Sequence, residues 1–412
     1  MKSNYKKLGN YIREVNKRDT DKKVTKLLGV SIRKVLMPSI ANIIGTDMST
    51  YKIIKKNQFA YGPVTSRNGD KISVALLEEY DEAIVSQAYT VFEVIDKNEL
   101  LPEYLMMWFR RPEFDRYARF KSHGSAREIF DWGEMCDTEL PIPSIKKQKE
   151  IVKEYHILVD RIDLNNKLIA KLEETVQTIY KQWFVDFEFP DTNGLTYKSN
   201  GGEMEFCEEL EIEIPVGWKL NSIKSICEIT SSKRIFESEY TNEGIPFYRG
   251  KEISLKKVGT QITEPIYISQ ERYDEIKSKF GKPLKGDILM TAVGTIGSTY
   301  LVQEEEFYFK DGNVIWFKNF KDEFSNYLVY DFMQSKYFLD VINEITIGST
   351  QSAITIKTFG EQKIIYPDDV VLLDYKSISS ILNNSIQNKR TINNKLTSLK
   401  DLLLSKLSTI EN

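Results

Sequence analysis

"FKSHGSAREIFDWGEMCDTELPIPS" occupies Phe120–Ser144, and "ITIGSTQSAITIKTFGEQKIIYPDD", beginning at Ile345, repeats its sense half a chain later. Gly124-Ser125 precedes Gly348-Ser349 by 224 residues, and Pro143 precedes Pro367 by the same 224. The interval extends outward from this phrase. "AYTVFEV" (Ala88–Val94) and "NVIWFKN" (Asn313–Asn319) both read as strands about 224 residues apart. The amphipathic helices "LPEYLMMWFRRPEFDRY" and "FSNYLVYDFMQSKYFLD" set Tyr104 opposite Tyr327 and Phe109 opposite Phe332. Chance likeness between two mixed segments would not hold one interval through strand, helix, loop and proline. The chain therefore reads as a tandem duplication.

Each copy ends in a long heptad helix. Ile151, Tyr155, Leu158, Ile162, Asn165, Ile169, Leu172, Val176, Ile179 and Trp183 alternate 4–3 spacing, with nine of the ten apolar. A seam that narrow, with one polar Asn165 to fix register, predicts a helix–helix partner. After Pro367 the same spacing runs through Val371, Tyr375, Ile378, Leu382, Ser385, Lys389, Ile392, Leu396, Leu399 and Leu403. Both helices contain "NNKL", at Asn165–Leu168 and Asn393–Leu396, so each is the other's natural partner. The expected fold class is α+β: two strand-rich domains separated by two long helices that pair as an intramolecular antiparallel coiled coil with pseudo-two-fold symmetry. The expected divisions are 1–143, 144–190 (first helix), 191–213 (acidic linker), 214–366 and 367–412 (second helix). Roughly 30 paired residues at about 1.5 Å each make a spacer on the order of 45 Å. That length is comparable with one turn of DNA, about 34–36 Å, and suits two heads reading a bipartite target.

Composition narrows the function classes. At 412 residues the chain has room for two or three domains, and 41% apolar with 28% charged residues is ordinary for a globular protein. Cys136, Cys207 and Cys227 lack CxxC spacing, which argues against a disulfide framework and a zinc site and fits a reducing cytoplasm. With only His123 and His156, a histidine-rich metal site is not available. No signal-peptide stretch opens the sequence and no run approaches the length of a membrane span, so a cytoplasmic protein is expected. The net charge of −3 conceals local bias: residues 1–34 hold eleven Lys/Arg against three acids, and Asp191–Glu213 holds seven acids against one Lys. A local basic face can hold DNA although the whole chain is acidic. No amino-methylation Asn/Asp-Pro-Pro-Tyr/Phe motif and no GxxxxGK[ST] loop is present. "AVGTIGS" (Ala292–Ser298) reads as a tight turn, and Pro367-Asp368 as a helix opening with an N-cap.

Three stretches carry a resemblance over essentially the full length: "LPIPSIKKQKEIVKEYHILVDRIDLNNKLIAKLEETVQTIYKQWF" (Leu140–Phe184), "GDILMTAVGTIGSTYLV" (Gly286–Val302) and "GSTQSAITIKTFGEQKIIYP" (Gly348–Pro367). With these, the chain closely resembles the specificity (S) subunit of type I restriction–modification systems. The resemblance implies two target recognition domains, each followed by a long helical region, and no catalysis by the chain itself. It implies assembly with two methyltransferase (M) subunits that methylate adenine in both halves of a split, asymmetric sequence. Restriction (R) subunits would add cleavage, and S-adenosylmethionine, ATP and Mg²⁺ would belong to those partners. Two other readings compete: a related bifunctional restriction enzyme outside type I, and a two-headed scaffold whose coiled coil holds proteins.

Loops joining Arg or Lys to small residues are the candidate DNA contacts, because long donors reach bases and phosphates where the backbone approaches closely. In the first domain these are "SIRK" (Arg33, Lys34), "YGPVTSRNGDK" (Ser66, Arg67, Asn68) and "KSHGSAR" (His123, Ser125, Arg127). In the second they are "FYRGKEIS" (Arg249, Lys251), "MTAVGTIGS" (Thr291, Thr295) and "GSTQSA" (Ser349, Gln351). The dense aromatics Tyr180, Trp183, Phe184 and Phe187, continuing to Phe189, read either as a cap on the helix pair from within or as an M-subunit docking surface.

Overall fold

The computed structural model describes residues 5–21, 23–39, 47–66, 69, 71–124, 128–322, 324–347 and 356–410, with only the backbone described for 345–347. The chain forms two compact units, Met1–Ile162 with Leu396–Asn412, and Asp163–Lys395. Both are mixtures of helix and strand, and each long helix passes from one unit into the other.

In the first unit a four-stranded antiparallel sheet runs in the order Ile12–Glu14, Thr90–Val94, Gln58–Gly62, Ser73–Leu76. Its inner face is aromatic: Phe59 pairs with Phe92 in register, and their rings stack at 4.7 Å. The helix Pro102–Phe109, with proline in its first turn, buries seven residues over this sheet. A second sheet runs Leu36–Pro38, Leu27–Val30, Glu82–Val85, Lys52–Lys55, and its central pair is parallel. Ile151 and Tyr155 of the first long helix (Ile145–Phe184) share one core cluster with Leu404 and Leu407 from the end of the second (Asp369–Lys406) and its following turn.

The second unit repeats the plan strand for strand. Its principal sheet runs Glu228–Thr230, Val314–Lys318, Ile288–Thr291, Thr299–Leu301, again antiparallel throughout. Its other sheet also holds one parallel pair, Ile245–Tyr248 with Tyr308–Phe309. The strands Thr90–Val94 and Val314–Lys318 begin 224 residues apart, as do the helices Trp132–Asp137 and Ile356–Gly360 and the two long helices. This unit adds helices Gly250–Lys257 and Gln270–Phe280. The acidic stretch expected to be a linker is partly folded, as the antiparallel hairpin Met204–Cys207 with Ile212–Pro215.

The long helices run antiparallel within the second unit. The Asn165 amide donates to Asn393 at 2.8 Å, Arg390 pairs with Glu173 at 2.6 Å, and Tyr180 meets Tyr375 edge-on. All ten expected seam positions of the first helix are buried or half-buried. The second helix departs from expectation. Ile392 and Leu399 are 38% and 52% exposed, and the inward positions are Leu372, Tyr375, Ser379, Asn383, Ile386, Arg390 and Asn393. Polar residues occupy that seam because polar partners wait for them: Asp331 accepts from Tyr375, Ser379 and Asn383, and Glu173 meets Arg390. The Asp368 carboxylate accepts from the backbone N–H of Val370 and Val371, the expected N-cap.

Candidate nucleic-acid interface

The first unit gathers its three candidate loops. Val64 and His123 each bridge to Ile129, Thr65 N–H donates to the Glu128 carbonyl at 3.0 Å, and the Thr65 hydroxyl donates to that of Ser122 at 2.8 Å. The loops after Thr65 and after Ser122 are therefore neighbours. Asp115 ties in the third, pairing with Lys34 Nζ at 2.7 Å and accepting from the Ile72 N–H at 3.1 Å. Arg33 is exposed on the turn between two strands, Ser66 is exposed, and His123 stands 72% exposed, 3.6 Å from Glu134. Arg67, Asn68, Ser125 and Arg127 lie outside the described residues.

Lys34 is a correction. Its residue is 5% exposed, in a left-handed conformation at φ 62°, with the ammonium held by Asp115 and the Phe109 carbonyl. Burial lowers its pKa against the pull of Asp115. It fastens its loop to the domain and is not presented to a phosphate.

The second unit assembles its loops by close backbone approach. Gly250 opens a helix against the Thr291 side chain and the Val293 carbonyl; a Cβ there would lie 3.5 and 3.7 Å from them. Gly297, at φ 78°, leaves only 2.7 Å between a notional Cβ and Ile342, on the helix Lys336–Ile347 that leads towards the third loop. Lys251 and Thr295 are exposed. Ser349 and Gln351 lie outside the described residues.

Two further candidates here have internal duties. Thr291 is 1% exposed; its hydroxyl donates to the Thr295 carbonyl and accepts from the Ser298 N–H at 3.0 Å, so it shapes the turn from beneath. Arg249 grips the buried Glu252 carboxylate through Nε at 3.1 Å and Nη2 at 2.9 Å, and Glu252 also caps the Arg249 N–H. Burial alone would push the Glu252 carboxyl up, but these bonds hold it below the usual carboxylate range. Arg249 keeps only its outer edge open, 38% exposed.

Tyr180, Trp183, Phe184 and Phe187 are 6, 6, 2 and 2% exposed, all within the second unit's core. Phe184 meets Tyr375 at 4.7 Å, and Phe187 meets Trp218 at 6.0 Å. These rings cap the helix pair from within and leave no free docking face of their own.

Asp115, Glu252 and Asp331 organise the loops and the seam, and sequence reading passed over them. Their signal was a lone acid on an apolar helical face: Asp115 beside buried Phe114 and Ala118, Asp331 within "YLVYDF". Among the described residues no cluster of three or more His, Cys, Asp or Glu can hold a metal, and no helix is long and apolar enough to cross a membrane.

The duplicated architecture has relatives. The family model for the type I restriction modification DNA specificity domain matches residues 15–174 and again 215–400, once per repeat. The type I restriction enzyme HindI specificity subunit of Haemophilus influenzae is 24% identical over 431 residues, spanning 91% of this chain and 90% of its own length. The MjaIX specificity subunit of Methanocaldococcus jannaschii is 24% identical over 318 residues, 76% of this chain and 70% of that one. In fold, the crystal structure of a type I S subunit from M. genitalium covers 99% of this chain and 96% of its own, with TM-score 0.61 at 14% identity. Matched in both repeats and by relatives nearly end to end, the chain belongs to the family of type I restriction–modification DNA specificity domain proteins.

Proposed function

We propose that this chain is the non-catalytic DNA-reading subunit of a type I assembly, each repeat reading one half of a split, asymmetric sequence. One observation carries the reading: both units display loops from equivalent places on the same four-stranded sheet, yet the loops differ in composition. In each unit one loop joins the two strands at one end of the sheet, Gln58–Gly62 to Ser73–Leu76 and Ile288–Thr291 to Thr299–Leu301. Equivalent scaffolds with unlike loops suit two unlike half-sites.

Within this reading Arg33, Ser66, Arg67, Asn68, His123, Ser125 and Arg127 serve the first half-site. Lys251, Thr295, Ser349, Gln351 and the open edge of Arg249 serve the second. Arginine suits guanine or phosphate, and a glutamine amide suits adenine. Methyltransferase subunits would modify adenine in both halves, and restriction subunits would cleave. S-adenosylmethionine, ATP and Mg²⁺ would be held by those subunits.

The test is a methylome. The chain is co-expressed with its methyltransferase in a methylation-free host, and modified adenine is mapped by sequencing. A split motif with unlike halves and a fixed gap is the expected result. One contiguous motif would mean that only one unit reads DNA; a stable complex that leaves DNA unmodified would favour a protein scaffold.

A further inference from the structure

In the first unit a cavity of about 240 Å³ is lined by Tyr5, Trp108, Arg111, Phe114, Tyr117 and Ser408, with Glu113 and Glu139 beside it. Arg111 is 5% exposed, yet its guanidinium makes no hydrogen bond among the described residues. Its one charge contact is Glu113 at 3.6 Å, a half-exposed acid shared with Arg116 at 3.5 Å. It occupies the N-cap of the helix Pro112–Phe120 and caps nothing, so a buried cation faces the positive end of a helix. Beneath it, at 4.2 Å, lies the Trp108 ring, whose indole N–H is buried with no acceptor. Buried donors normally find partners, and an arginine fork left empty is costly. Two such donors at one cavity call for an oxygen anion.

The second repeat has no such gap. The matching N-cap is Ser335, whose hydroxyl accepts from the Phe338 N–H at 3.3 Å. The residue matching Trp108 is Asp331, bonded by Tyr375 and Asn383. The vacancy therefore belongs to one half of a duplicated chain. Its volume falls below the ~300 Å³ at which small-molecule and cofactor sites begin, and suits a carboxylate on a short stem. Aromatic walls and the neighbouring Glu113 and Glu139 oppose a nucleic-acid backbone, whereas a planar carboxylate matches the guanidinium fork.

We propose that Arg111 and Trp108 receive a single carboxylate side chain of the methyltransferase partner, an assignment that rests on the function proposed above. Two measurements on the full chain test it. In the first, indole N–H resonances are followed by NMR during titration with sodium acetate against a chloride control, Trp108 being assigned through Trp108→Phe. A saturable shift of the Trp108 signal, absent in Arg111→Gln, is expected; no shift overturns the pocket and leaves the proposed function standing. In the second, affinity for the co-expressed methyltransferase is measured for wild type, Arg111→Gln and Trp108→Phe, with melting of each chain alone as the folding control. At least tenfold weakening by Arg111→Gln is expected, and several-fold by Trp108→Phe, which keeps the ring should the arginine variant misfold. Unchanged affinity overturns the assigned occupant. Weakened DNA binding with intact assembly would instead identify a phosphate as the occupant. A wild-type chain that takes up acetate but does not bind the methyltransferase overturns both the occupant and the function it rests on.

Discussion

Asp331 is fully buried, and burial lifts its carboxyl to about 6 although Ser379, Tyr375 and Asn383 all donate to it. A carboxyl whose folded pKa is raised favours its protonated form in the fold. Its contribution to stability is thus present below the ordinary carboxylate pKa of 3.8 and lost as pH rises through about 6. The melting temperature of the second unit should fall across that window, by an amount equivalent to about 3 kcal/mol if the full shift is expressed. Asp331→Asn should flatten the dependence; a wild type with no slope would contradict it. Lys34 and Asp115 pose the other residue-scale question, since both are largely buried and each is the other's counter-charge. Asp115→Ala strands a buried ammonium and frees the Ile72 N–H, and should cost the first unit about 3 kcal/mol or more in denaturant unfolding. Lys34→Met leaves the carboxylate its backbone donor and should cost less; the reverse order would mean that the pair matters little.

Elements carry the loops, and glycines set how closely those loops may lie. Gly294 and Gly297 both hold positive φ, 79° and 78°, but only Gly297 has a side chain, Ile342, within reach of an added Cβ. Alanine at either should cost about 1–2 kcal/mol from backbone strain. Gly297→Ala should also push on the helix Lys336–Ile347 and blur only the second half-site in a methylome, while Gly294→Ala leaves the motif sharp. Equal effects on both half-sites would refute a local origin. The same elements explain what could be read beforehand. The interval between repeats was legible because strand, helix and proline obey short-range rules, and the long helices begin at Ile145 and Asp369 as that interval requires. The first seam was legible because its inward residues are apolar. The second was misread because Ser379, Asn383 and Arg390 point inward to acids elsewhere in the chain, and no local pattern announces those partners. Lys34 and Thr291 resemble loop donors in sequence, and each is turned inward by a contact made only on folding.

At the scale of the whole molecule the long helices are the continuous elements, passing between units at Ile162/Asp163 and Lys395/Leu396. If they set the gap between half-sites, their length is the variable to change, and the antiparallel contacts dictate how. Lengthening one helix alone would slide Asn165 past Asn393 and Glu173 past Arg390. Four residues should therefore be added to both helices at the passage points, preserving every pair on either side. Each insertion adds about 6 Å of helix. At about 3.4 Å per base pair that approaches two base pairs, or nearer one if the four-residue stutter locally unwinds the pair. The methylome of the lengthened chain should show the same two half-sites with an unread gap longer by one or two base pairs. An unchanged gap would mean that the helices do not measure the DNA. Changed half-sites would mean that the loops take their shape from the helices and not from the sheets that bear them.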